Sequence, residues 1–231
     1  MNAYRKSAIV VGALFLTAMV TSLLGGALLE PILNAPDYLA NVYPQKAQVI
    51  ILVLLELINC TAVIGIAAML FPLLKKHSAA LAMGYVGFRV IEAAALVIAD
   101  ISPLSLISLS QQYLESGNPD VSSFQTLGTL LMAVRGQLTG LMVPIFFGLG
   151  ALLLYYFLYR SRLLPRFISI WGFVAVVLVL ALNLSQAFGL SVGPLAMLFA
   201  LPIILNEVFL GIWLIAKGFS AAAAAEYRRS E

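Results

Sequence analysis

The chain has 231 residues, 62% of them hydrophobic and 10% charged, with a mean hydropathy of +1.04. A soluble domain carries about a quarter charged residues, so this composition excludes a soluble globular protein and points to a membrane. The net charge of +3 matters less than where the charges lie.

Six apolar segments are long enough to cross about 30 Å of hydrocarbon. They run over about 7–29, 47–74, 79–112, 123–159, 167–189 and 194–217, with short polar stretches between them. The expected fold is all-α, a single domain over 1–231 with no soluble part. The first segment follows Arg5 and Lys6. It is too long for a signal peptide and no small-residue cleavage site follows, so it reads as an uncleaved span. A loop over 30–46 carries Pro31, Pro36 and Pro44, which break helix. The second span contains Glu56 with Asn59 one turn on, and ends at Lys75-Lys76-His77.

The third span carries Arg89 and Glu92 and reaches Asp100 just before Ser102-Pro103, where a kink is expected. Gly117-Asn118-Pro119-Asp120 reads as a turn. The fourth span holds Arg135 and Gln137, and Pro144 should bend it; its length of roughly 50 Å outruns the bilayer. The third and fourth spans therefore form a long hairpin projecting past the membrane. Asn183 lies towards the far end of the fifth span, and the sixth contains Pro202, Asn206 and Glu207. The tail from 221 onwards carries no motif.

Orientation follows from the basic residues. Arg5, Lys6, Lys75, Lys76, Arg160, Arg162, Arg166, Lys217, Arg228 and Arg229 fall on one side, against Lys46 on the other. Positive residues favour the cytoplasm, so both termini are expected inside and the hairpin outside, in the bacterial cytoplasmic membrane. The lipid bilayer itself is the first partner, and the basic face would attract anionic headgroups. Nucleic acid is not expected, because topology accounts for these scattered charges. Gly12 with Gly172, and Glu56–Asn59 with Glu207–Asn206, hint at an internal repeat, but helix-pair periodicity alone produces such echoes.

The charges inside the spans are the informative feature, since each unpaired charge at the bilayer centre costs about 2.5–3.5 kcal/mol. Counting along straight helices puts Glu56, Arg89, Glu92, Arg135 and Glu207 in one layer near the midplane. Two arginines facing three glutamates leave one carboxylate to be protonated, hydrated or bound to a cation. Asp100 shares the stripe of Arg89 about 16 Å further out, which suits an outer entrance. Asn59, Asp100, Gln137 and Asn206 are candidate supporting polar groups. Gly84, Gly87 and the Gly136/Gly140 pair suggest a close-packed centre.

The stretches Leu55-Glu56-Leu57-Ile58, Gly84-Tyr85-Val86-Gly87-Phe88-Arg89-Val90-Ile91-Glu92, Ala133-Val134-Arg135 and Leu205-Asn206-Glu207 resemble a bacterial membrane family catalogued as domain of unknown function 4386. The stretches over 149–172 and 212–219 resemble it too. The resemblance covers nearly the whole chain and implies a six-helix membrane protein of unassigned activity, with no catalytic residues to carry over.

Two functions compete. One is a small transporter or proton/cation-linked pathway for a small polar solute, with the glutamates exchanging charge and the arginines holding them or an anionic substrate. The other is a non-catalytic interaction or assembly protein whose buried ion pairs only set helix register. An enzyme is disfavoured: Cys60 and His77 are the sole cysteine and histidine, and neither G-x-S-x-G nor H-E-x-x-H occurs. No metal site or cofactor is expected.

Overall fold

The computed structural model describes residues 3–116, 121–190 and 195–220. The expected turn at 117–120, Pro194 at the start of the sixth span, and the tail with Arg228 and Arg229 lie outside them. The described residues form helices and no strands: α1 (Ala3–Leu33), the short α2 (Tyr38–Asn41), α3 (Lys46–His77), α4 (Ala79–Ala99), α5 (Ile101–Glu115), α6 (Val121–Gln137), a π-helical turn (Leu138–Met142), α7 (Val143–Ser161), α8 (Arg166–Ala187) and α9 (Leu195–Ala216). Six units among them are long and apolar enough to cross a membrane: α1, α3, α4 with α5, α6 with α7, α8, and α9.

Local chemistry accounts for the boundaries. The Ser78 hydroxyl accepts from Leu81 N–H at 3.3 Å and starts α4, satisfying one of the orphan donors of a helix N-terminus. Lys75, Lys76 and His77 close α3, where cations suit the negative end of the helix dipole. The helix is interrupted at Asp100, and Pro103 falls in the first turn of α5, where its missing N–H costs nothing. The fourth unit departs from regular α-helix at Leu138–Met142, just ahead of Pro144, as expected where proline clashes with the preceding turn.

Two expectations fail here. The stretch 30–46 is not all loop: α1 continues through Pro31 to Leu33, so Glu30 belongs to the first helix. A proline in the last turn removes one hydrogen bond and leaves the rest of the helix intact. Nor is the centre packed on most of the predicted glycines: of them only Gly84 is closely approached, where a methyl would lie 3.1 Å from Leu153 Cδ1. A methyl at Gly87, Gly136 or Gly140 would meet nothing within 4 Å. Closer approaches include Gly12, where a methyl would lie 2.6 Å from the Gly211 carbonyl oxygen, and Gly172, against the Tyr155 ring.

Each spanning unit packs on its neighbours in sequence, and α9 closes back onto α1. Arg5 fastens that closure by donating to the carbonyls of Leu214, Ile215 and Ala216 at 3.2, 2.6 and 3.1 Å, the last unpaired acceptors of α9. The result is a ring of six spans with no helix along its axis. One half of the ring is filled by an apolar core that includes Val11, Phe15, Ile66, Leu70, Tyr85, Leu154, Phe157, Ile168, Val176 and Leu210. A smaller cluster of Leu29, Leu33, Val42, Val49, Leu52 and Leu106 sits at the opposite end, under α2 and α5. The third and fourth units span 37 and 40 residues against 22 and 21 for the last two, so they outrun them by roughly 25 Å.

Candidate functional site

Between the two apolar clusters lies a cavity of about 350 Å³. Its wall includes Glu30, Glu56, Arg89, Glu92, Arg135 and Glu207, drawn from five of the six spans. Along α1 it is lined by Phe15, Met19, Ser22, Gly26 and Glu30, positions about one turn apart that share one helix face. Ser22 is exposed and the Glu30 side chain is 43% exposed, so the cavity reaches the surface along the second half of α1.

The buried charges form two groups. In the first, Arg135 is 2% exposed and donates to three carboxylates: from Nε to Glu30 at 3.1 Å, from Nη1 to Asp100 at 3.1 Å, and from Nη2 to both oxygens of Glu56 at 3.0 and 3.1 Å. One guanidinium thereby ties α6 to α1, α3 and the α4–α5 junction. Its rigid fork of donors suits such bridging, which a single ammonium does not match. In the second, Arg89 donates from Nη1 to Glu92 at 2.8 Å within α4. The Arg89 guanidinium lies 5.6 Å from the Tyr85 ring centroid and 5.2 Å from that of Phe147, within cation–π range.

The expected single layer is therefore two levels, with no hydrogen bond or salt bridge joining them among the described residues. Asp100 is not an outer entrance: its side chain is 3% exposed and bound to Arg135. Depth counted along a straight helix ignores the interruption at Asp100 and the reach of an arginine side chain, which lets groups a turn or more apart meet.

The supporting residues also separate. Asn59 lines the cavity. Asn206 does not: it is fully buried, accepts from the Tyr155 hydroxyl at 2.7 Å and donates to the Ile168 carbonyl at 3.1 Å, joining α7, α8 and α9. Its neighbour Glu207 is turned about 100° around α9 and reaches the cavity wall. Glu207 makes no salt bridge or hydrogen bond among the described residues, and Arg89 and Glu92 are the charges that act on it. Gln137 is exposed and away from the cavity. Glu56–Asn59 and Glu207–Asn206 thus do different work, and the hinted repeat does not extend to the site.

Sequence reasoning missed Glu30 and Asn183, both on the cavity wall. The signal for Glu30 was the Phe15–Met19–Ser22–Gly26 stripe that leads to it; Pro31 obscured it by suggesting that the helix had already ended.

A ring of six apolar helices around a charged cavity defines a multi-pass helical membrane protein. The chain belongs to the family described as domain of unknown function (DUF4386), whose model matches residues 10–218. No curated protein and no solved structure matches it.

Proposed function

We propose that the protein is a small transporter, a proton- or cation-linked pathway for a small polar solute, built on the charged cavity. The observation that carries this reading is the cavity itself: a space of about 350 Å³ inside the ring with Glu207 on its wall and no hydrogen-bond or salt-bridge partner for that carboxylate among the described residues. A lock that only set helix register would bury its charges in pairs, because an uncompensated charge in hydrocarbon is costly. Space beside an unpaired carboxylate supports a group held ready for a solute or ion.

The pathway reading takes Glu207, Glu92 and Glu56 as the charge-exchanging carboxylates, with Asn59 as a neutral hydrogen-bonding group. Arg89 and Arg135 then hold carboxylates in place. The saturated Arg135 clamp favours the second reading, an interaction or assembly protein, because it fixes four elements without offering any group to a ligand.

The biased distribution of basic residues supports the bacterial cytoplasmic membrane, with both termini inside and the α5–α6 hairpin outside. Arg162, Arg166 and Lys217, with Trp213, line a groove between the α7–α8 loop and the end of α9. On this orientation that groove meets anionic lipid headgroups.

The test is flux. The purified full chain, reconstituted in proteoliposomes with an interior pH dye, should dissipate an imposed proton or sodium gradient or couple it to solute uptake, and Glu207→Gln should abolish the effect. Gradients no leakier than in protein-free vesicles, across a panel of amines, acids and sugars, would remove the pathway and leave the structural reading. For orientation, Lys46→Cys in a Cys60→Ala background should react with an impermeant maleimide from outside whole cells, and Lys217→Cys should not.

A further inference from the structure

The charge balance of the cavity indicates what it would hold. Five carboxylates lie on or directly behind its wall (Glu30, Glu56, Glu92, Asp100 and Glu207) against two guanidiniums. The formal surplus of negative charge is therefore three, on a site surrounded by apolar helices.

Neither arginine is open to an anion. Arg135 has committed Nε, Nη1 and Nη2 to carboxylates. Arg89 gives Nη1 to Glu92 and sets its guanidinium over Tyr85 and Phe147. The Arg89 Nε has no hydrogen-bond partner but is buried, so the side fork of Nε and Nη2 that bidentate recognition of a carboxylate or phosphate uses does not open to the cavity.

Glu207 has the opposite character: it stands on the wall with no ion-pair or hydrogen-bond partner among the described residues. The residues Phe15, Asn59 and Asn183 line the same wall.

We propose that this cavity binds a small organic cation, a protonated amine or a quaternary ammonium, with Glu207 as its counter-ion and Phe15 as an aromatic wall. An ammonium is attracted to both a carboxylate and the face of an aromatic ring. A metal ion is a poorer match. The acidic groups converge on Arg135 rather than on a shared empty point, and no three His, Cys, Asp or Glu side chains among the described residues are arranged to hold one. The volume lies at the low end of the roughly 300–1,000 Å³ of small-molecule pockets, which suits a compact solute. The inference rests on the pathway reading for its purpose and on the cavity's own residues for its chemistry.

Titration calorimetry on the full chain in detergent tests it, with tetramethylammonium and ethylammonium chlorides as probes and sodium acetate and magnesium chloride as controls. The two ammonium probes should bind and the controls should not. Glu207→Gln should weaken ammonium binding at least tenfold. Phe15→Leu, which keeps every charge, should weaken tetramethylammonium more than ethylammonium, and it serves as the measurement if Glu207→Gln does not purify as folded protein. Binding of acetate in place of the ammoniums, or ammonium affinity unchanged in both variants, overturns the proposal. Ammonium binding without flux in proteoliposomes would overturn the pathway while supporting the cation site. Proton flux without ammonium binding would overturn the cation site and keep the pathway.

Discussion

Arg135 and Glu207 stand on the wall of the same cavity under opposite conditions. Arg135 is 2% exposed and saturated by three carboxylates from three other elements. Glu207 makes no hydrogen bond or salt bridge among the described residues and lies on the cavity wall. The bundle thus separates two tasks that buried charge can perform. At Arg135, charge sets the position of α1, α3, α5 and α6 relative to one another. At Glu207, charge is left available inside a cavity that the closed ring of helices leaves around its axis. If that division is right, substitutions at the clamp act on stability and substitutions at Glu207 act on function.

Arg135→Met should have the largest effect, because it strands three carboxylates. Breaking a buried pair costs about 3–5 kcal/mol, so a large loss of monodisperse protein and of melting temperature in detergent is expected. Arg135→Lys should recover little of it, since one ammonium cannot take over donors fixed at three nitrogens. Wild-type stability in Arg135→Met would break the comparison at its first member. Glu56→Gln comes next. It keeps the shape but loses a charge-assisted contact made through both oxygens, at about 1–3 kcal/mol by thermal denaturation. Glu30→Gln should cost less than about 1 kcal/mol in the same measurement, because its side chain is 43% exposed and exposed pairs contribute little. Equal losses at Glu30 and Glu56 would show that exposure does not grade the clamp. Glu207→Gln should leave the melting temperature within about 1 °C of wild type, as no hydrogen bond or ion pair to a described residue is lost. Its effect should appear only in flux and ligand binding, and a drop in stability like that of Glu56→Gln would place Glu207 with the clamp.

Much of the fold was legible in the residues. The six spans follow from apolar runs of sufficient length, and the interruption at Asp100 and the irregular turn before Pro144 follow from proline chemistry. The inventory of charge around the cavity was legible too, apart from Glu30, while Asp100 was recognised but placed at the wrong depth. Glu30 was lost because a proline in a last helical turn looks in sequence like a proline that ends the helix. Asp100 was misplaced because depth was counted along a straight rod, whereas the helix is interrupted at that residue and the Arg135 guanidinium reaches it. The glycine pair Gly136/Gly140 has the spacing of a packing motif but faces open space, while the close contacts at Gly12 and Gly172 carry no such pattern.

By itself the sequence determined that this is a six-span membrane protein that must shelter two arginines and several carboxylates inside its bundle. Hydrophobicity, span length and the cost of charge in hydrocarbon depend on residue type and order alone. Which carboxylate meets which arginine was decided only in the tertiary structure. Pairing depends on helix rotation, axial shift and side-chain reach, and a change of one turn redistributes every partner. The closure of α9 onto α1, the cavity inside the ring and the isolation of Glu207 share that origin: they arise from how the helices are placed around an axis, which no single helix encodes.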